Sequence, residues 1–279
     1  MPDPTTLTIP PGHCVTTTYG ALRYEMVSAL MELRAQNDRS GLTNVAYKMV
    51  PGTLVDKARN DAVRGLLADP NAGWLLFIDG DMVFPPDALL RLVQTAYGSH
   101  AWADVVGAYC PLRGDMALPT IDSGTGTWES HFPNSGVIEV MRTGAAFLLT
   151  KRHVYQNLKD PWYALRVPMR PIDALAEVDN YARIKFDGRN PFRGQPGEPW
   201  ERLLQCAEQD PSAAGQFIPA EVGEDSGACD RMRAAGFRIV VDTGVVTGHV
   251  DTKIVTWEQH KSAIETMRQQ QRYFAGVGG

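Results

Sequence analysis

The sequence predicts an α/β protein: a three-layer α/β/α sandwich around a mostly parallel central sheet, regular in its first half and loop-rich in its second. Three observations predict it. Strand-like and helix-like stretches alternate over residues 1–110, the pattern that builds parallel sheets with helices on both faces. Trp74-Leu-Leu-Phe-Ile78 is a short, wholly apolar run, as expected of a strand buried on both faces. It ends in Asp79-Gly80-Asp81, at what would be the carboxyl edge of the sheet, where open α/β folds bind their ligands.

The elements follow in order. Leu7–Ile9 reads as a first strand, closed by the stiff turn Pro10-Pro11-Gly12. Tyr19–Gln36 has apolar residues at helical spacing (Leu22, Met26, Ala29, Leu30, Leu33) and predicts a helix. Asn44–Val50 suits a strand. Val55–Ala68 predicts a second helix through Val55, Ala58, Ala62 and Leu66, ended by Asp69-Pro70. After the Trp74–Ile78 strand, Pro85-Pro86-Asp87 starts a helix over Ala88–Tyr97, and Val105–Tyr109 is a further strand. From Cys110 to Gly136, Gly, Pro, Ser and Thr predict loop. Val137–Val140 and Ala145–Leu149 read as strands around a turn at Arg142-Thr143-Gly144, with a short helix over Lys151–Leu158. Pro161–Pro219 has many prolines and no clear period, the mark of a long binding loop or lid. Glu224–Ala235 predicts a helix stopped by Gly236, Phe237–Val241 a strand, and Thr256–Tyr273 an outer amphipathic helix.

Composition excludes several classes. The 279 residues are 44% hydrophobic and 21% charged, as in ordinary globular proteins. A net charge of −5 gives no global attraction to nucleic acid or anionic membrane. No run approaches the roughly 20 apolar residues that span a bilayer, and Met-Pro-Asp-Pro lacks the regions of a signal peptide. The cytoplasm, or the host cytoplasm for a viral protein, is the expected location. Cys14, Cys110, Cys206 and Cys229 are scattered without a CxxC or Cys/His cluster, so buried reduced thiols are expected over a zinc site or a disulfide framework.

The chemistry concentrates at Asp79 and Asp81. Carboxylate oxygens are hard ligands suited to Mg²⁺ or Mn²⁺, and Gly80 allows a tight turn that turns both acids toward one ion. The plainer alternative is that the two acids cap a helix or make a turn.

Several short motifs, taken together in their order, carry a resemblance. They are Asp56-Lys-Ala-Arg59-Asn60 opening a helix, Leu-Leu-Phe-Ile-Asp79-Gly80-Asp81, and Phe84-Pro-Pro-Asp87-Ala-Leu. Later come Arg142-Thr-Gly144-Ala-Ala-Phe147, Pro161-Trp162-Tyr163, Gly223-Glu224-Asp225, Val241-Asp242 and His249. Over roughly residues 5 to 250 the chain resembles glycosyltransferases of the GT-A type, close to the GT2-like enzymes. The resemblance implies a Rossmann-like GT-A fold in one domain over 1–279. Residues 1–110 would be the nucleotide-sugar-binding half, 111–250 the acceptor-binding half and 251–279 a helical tail.

The resemblance also implies roles. Asp79-Gly80-Asp81 matches the DxD motif, whose acids hold Mn²⁺ or Mg²⁺ against the diphosphate of the donor. His249 matches a histidine that completes the metal site, with Asp251 and a purely structural histidine as alternatives. Arg59-Asn60 matches a pair near the nucleotide; the alternative is a local ion pair of Arg59 with Asp56 or Asp61. Pro10 would lie beneath the nucleotide base. Gly144-Ala145 matches small residues close to sugar and acceptor, and Trp162 either stacks on substrate or is buried. Asp225 would be the general base toward the acceptor hydroxyl, with Glu224 supporting it, or both acids would cap their helix. Inversion and retention both stay open.

The implied activity is transfer of a sugar from a nucleotide diphosphate sugar, with a UDP-sugar expected, to a hydroxyl. Some anchor-free enzymes of this kind are phage-encoded and modify hydroxymethylated pyrimidines in DNA. A DNA base is therefore one candidate acceptor, beside saccharides and others. Arg183, Lys185, Arg189 and Arg193, interleaved with Tyr181, Phe186 and Phe192, would suit a phosphate backbone with stacked bases. A solvated loop is the alternative. Two other classes compete: a nucleotidyltransferase, for which a Gly-rich phosphate loop is missing, and a non-catalytic nucleotide- or sugar-binding module.

Overall fold

The computed structural model describes residues 8–18, 22–51, 54–112, 118–124, 128–164 and 223–250, together with 258, 261, 262, 264 and 265 of the tail. The chain divides into two compact units where the sequence reads as a single domain. The first comprises Met1–Tyr163 and Ala228–Gly279, and the second is Ala164–Gly227. Most of the irregular segment, including Arg183, Lys185, Arg189, Arg193 and their aromatic neighbours, lies outside the described residues.

The first unit is built on a seven-stranded sheet. Its strands are β1 (Gly12–Thr18), β2 (Val45–Pro51), β3 (Trp74–Asp79), β5 (Val105–Tyr109), β7 (Val137–Val140), β9 (Phe147–Lys151) and β10 (Ile239–Val246). The spatial order is β2-β1-β3-β9-β5-β10-β7. Strands β2, β1, β3, β5 and β10 run one way, while β9 and β7 run against them. The mostly parallel sheet expected from the sequence is what forms, with one antiparallel strand inserted at its centre.

Strand alternation explains the three layers. Trp74, Leu76 and Ile78 face one side with Met26 and Leu33 of α1 (Tyr24–Arg39) and Leu89, Leu92 and Val93 of α3 (Ala88–Gln94). Leu75 and Phe77 face the other with Ala62, Val63 and Leu66 of α2 (Val55–Ala68), Val154 and Tyr155 of α4 (Arg152–Gln156), and Cys229 and Met232 of α5 (Glu224–Ala234). All five residues Trp74–Ile78 are fully buried. Each such side chain contributes about 1.5–3 kcal/mol, which makes β3 the rigid axis of the fold.

Four expectations are corrected. The first strand is Gly12–Thr18, so the prolines precede it and do not close it. The Pro10 carbonyl accepts the Trp74 indole N–H at 2.9 Å, and Gly12 pairs with Trp74 at the amino-terminal end of β3. Pro10 therefore stands at the sheet edge opposite Asp79 and is not under a nucleotide placed there. Arg142–Thr143 is not a turn but strand β8, paired with β6 (Ile121–Asp122) inside the stretch read as loop. The helix expected to reach Tyr97 leaves α-geometry after Gln94 and continues as a π-helical turn, Thr95–Ser99. There the Thr95 hydroxyl donates to Asp242 at 2.7 Å. The last strand begins at Ile239 and runs on to Val246.

Candidate functional site

Parallel pairing of β1 with β3 sets Thr17 beside Asp79 at the carboxyl edge of the sheet. Asp79 shares its side of β3 with Phe77, the side covered by α2, and so meets Arg59. Arg59 Nη2 donates to Asp79 Oδ1 at 3.0 Å and Oδ2 at 3.2 Å. Thr17 Oγ1 donates to the same Oδ1 at 2.8 Å. Asp61, considered as a local partner of Arg59, pairs with Arg64 at 2.7 Å. The Arg59 side chain is only 3% exposed and lies 5.9 Å and 5.8 Å from the ring centroids of Phe77 and Tyr163. Burial pushes the Tyr155 phenol up to about 12 and the Tyr163 phenol well above its ordinary value, so neither supplies Arg59 with negative charge at neutral pH.

Gly80 serves close approach. Its N–H donates to the Thr17 carbonyl at 2.8 Å, and a side chain there would meet that oxygen at 3.0 Å and Thr18 Cβ at 3.0 Å. The glycine lets the exit of β3 lie against the exit of β1.

His249 reaches this edge by a crossover. After β10, Thr247 bonds back to β5, its N–H donating to the Tyr109 carbonyl at 3.0 Å. The chain then forms β11 (Gly248–His249), antiparallel to β4 (Met82–Val83), with His249 opposite Met82 and Gly248 opposite Val83. The Val250 N–H donates to the Asp81 carbonyl at 2.6 Å. The backbone thus sets His249 one register step from Asp81, although β10 and β3 are separated by two strands of the sheet. Asp251 lies outside the described residues.

Asn60 bonds to the main chain of Tyr163. Its Nδ2 donates to the Tyr163 carbonyl at 2.7 Å and its Oδ1 accepts the Tyr163 N–H at 3.0 Å. The amide is spent on pinning that segment of backbone. Trp162 is buried, with its indole N–H donating to the Tyr155 carbonyl at 2.9 Å. Gly144 lies just before β9, which enters the sheet beside the end of β3, and the Asp79 N–H donates to the Ala146 carbonyl at 2.9 Å. A side chain at Gly144 would meet Thr120 at 3.1 Å, so its smallness serves the chain's own packing. Glu224 and Asp225 occupy the first turn of α5. Both belong to the second unit, so the first-unit site is built without them.

Sequence reasoning missed Thr17. A Thr-rich stretch directly before the first helix was the available signal, since buried threonine hydroxyls at a strand end commonly serve a polar partner.

The donor chemistry fits a sparse divalent-cation site. Among the described residues no group of three or more His, Cys, Asp or Glu side chains is arranged to hold an ion. Mg²⁺ needs less than that, since it usually takes one or two carboxylates and completes its shell with substrate phosphates and water. Asp79 and Asp81 at the end of β3 are donors of that kind, with His249 one register step from Asp81 in the β4–β11 ladder; Asp79 also accepts from Arg59 and Thr17.

No protein-family profile matches the chain, and no curated protein matches it. Solved structures do. A197 from STIV is similar with a TM-score of 0.50 and 15% identity, covering 85% of each chain, which shows a shared fold. GalNAc-T7 with UDP, GalNAc and Mn²⁺ is similar at 0.46 and 8% identity, covering 92% of this chain and 48% of its own. A Drosophila β1,4-galactosyltransferase 7 mutant with manganese, UDP-Gal and xylobiose is similar at 0.39 and 11%, covering 90% and 73%. Among the described residues no helix is long and apolar enough to cross a membrane.

Proposed function

We propose that the chain is a metal-dependent glycosyltransferase of the GT-A type, moving a sugar from a nucleoside diphosphate sugar, UDP the expected nucleotide, to an acceptor hydroxyl. The observation that supports this reading best is the Asp79-Gly80-Asp81 turn at the carboxyl edge of β3, with the β11 residue His249 drawn beside it. Such edges are where open α/β sheets bind ligands.

In this reading Asp79 and Asp81, with His249, would hold Mn²⁺ or Mg²⁺, which supplies neutralisation of the charge developing on the departing diphosphate. The chain's own groups do the rest. Asp79 is oriented by Thr17 and Arg59 and acts through its less engaged Oδ2. Arg59 holds that carboxylate in place, so its role at the donor end is exerted through Asp79. Gly80 lets the turn close. Asp225 takes the proton from the acceptor hydroxyl and Glu224 supports it, both from the first turn of α5. The acceptor is a hydroxyl compound, and hydroxymethylated pyrimidine in DNA stands beside saccharides in the panel to be screened.

The test is a panel of UDP-, GDP-, CDP- and dTDP-sugars incubated with the protein and Mn²⁺. Release of a nucleoside diphosphate that stops with chelator is the expected result. Pyrophosphate release from a nucleoside triphosphate and a sugar phosphate would support nucleotidyl transfer instead. Tight binding with no turnover of any donor would make the chain a binding module.

A further inference from the structure

We propose that Thr17 is a positioning residue for the strand-end acids, an inference that rests on the glycosyltransferase reading of the same edge. Thr17 is 3% exposed and holds the turn with its hydroxyl and its carbonyl. Its hydroxyl donates to Asp79 Oδ1 at 2.8 Å, and its carbonyl accepts the Gly80 N–H at 2.8 Å. A β-branched residue in a strand has a restricted χ1, so the direction of that hydroxyl is set by the backbone of β1. The register of β1 against β3 places Thr17 opposite Asp79, which makes the contact a property of the sheet and not of a mobile loop.

The second donor to the same oxygen explains what the hydroxyl adds. Arg59 reaches both carboxylate oxygens through one nitrogen, Nη2, at 3.0 and 3.2 Å. A single nitrogen between two oxygens supplies charge but leaves the carboxylate free to rotate about χ2. The Thr17 bond selects one oxygen and stops the rotation. Oδ1 then carries two donors, while Oδ2 is turned to the other side of the carboxylate plane's axis with a single long contact. Thr17 never has to touch donor, cation or acceptor to do this; it acts through Asp79 and, by its carbonyl, through the path of the Gly80–Asp81 backbone.

The side chain can be dissected without emptying its site. Thr17→Val keeps the volume and removes the hydroxyl, and Thr17→Ser keeps the hydroxyl and removes the methyl. The readout is titration of UDP into the protein by calorimetry, with and without Mn²⁺, beside the thermal midpoint of each variant. Thr17→Val is expected to weaken Mn²⁺-dependent UDP binding by roughly tenfold or more, the scale of a hydrogen bond to a charged acceptor. Thr17→Ser is expected to stay within about twofold of the unmodified chain. Equal weakening in both variants would assign Thr17 to packing alone, and unchanged binding in Thr17→Val would remove its positioning role. Should Thr17→Val not fold, Thr17→Ala against Thr17→Ser gives the same contrast. If the unmodified protein shows no Mn²⁺-dependent binding of UDP, GDP, CDP or dTDP, the glycosyltransferase reading itself fails, a result separate from the variant outcomes.

Discussion

Arg59 donates to both oxygens of Asp79, at 3.0 and 3.2 Å, and so joins α2 to the last residue of β3. The two ends of the pair differ in exposure: the Arg59 side chain is 3% exposed and that of Asp79 21%. Removing one partner of a buried pair leaves an uncompensated charge, at a cost of about 3–5 kcal/mol for a fully buried one. Asp79→Ala strands the more buried charge and should destabilise by about 3 kcal/mol. Arg59→Met leaves the less buried carboxylate with Thr17 and water and should cost less. The double variant should be more stable than the sum of the two single losses predicts. Urea unfolding of the three variants measures this, and additive losses would show that the pair contributes nothing as a pair.

Gly80 and Gly12 separate the site from the frame. A Cβ at Gly80 would lie 3.0 Å from the Thr17 carbonyl oxygen, so Gly80→Ala must shift the turn by a few tenths of an ångström. The expected outcome is a small stability loss, about 1 kcal/mol, with loss of Mn²⁺-dependent nucleotide binding. A Cβ at Gly12 would overlap the buried Trp74 indole at the opposite edge. Gly12→Ala should cost about 2 kcal/mol or more of stability while the folded fraction still binds nucleotide with normal affinity. Thermal melts combined with UDP titration distinguish the two patterns.

Acid should destabilise the fold through two carboxylates remote from the site. The hydrogen bond from His13 holds Asp69 below its ordinary range, and the hydrogen bond from Arg238 holds Glu139 below its own. Both groups have folded values under their unfolded ones. Their contribution is therefore fully present above the unfolded values, near pH 4, and is lost as pH falls through the depressed folded ones. Asp69→Asn and Glu139→Gln should each flatten the fall of the urea midpoint as pH drops below about 4. An unchanged slope in both would remove these two groups from the acid transition.

Much of the scaffold was legible because burial writes a period into the chain. Val55–Ala68, Val105–Tyr109 and Val137–Val140 lie where the apolar spacing puts them. The first strand was not legible, because Gly12-His-Cys-Val-Thr-Thr-Thr18 carries polar residues in a strand flanked on both sides, by β2 and β3. His13 is buried there against Asp69 at 2.9 Å, and Thr17 against Asp79, so polarity signalled partners and not exposure. The proline pair beside it was read as a strand exit when it is a strand entry, a distinction that local composition does not contain. The acids at the end of β3 were legible from the apolar run that precedes them. Their partners were not: Arg59 is 20 residues away in sequence and Thr17 62, separations at which no local pattern records a contact. His249 came only from resemblance, since a two-strand ladder formed by a crossover has no sequence period.

The central proposal is that the acids at the end of β3, Asp79 and Asp81, hold a divalent cation with His249 against the diphosphate of the donor. Its most direct measurement is the anomalous scattering of Mn²⁺ in a crystal soaked with MnCl₂ and UDP. The account predicts one strong peak within bonding distance of an Asp81 oxygen, His249 and the diphosphate, absent from crystals of Asp81→Asn. A peak bound elsewhere, or UDP held at this edge with no cation beside Asp81, would contradict it.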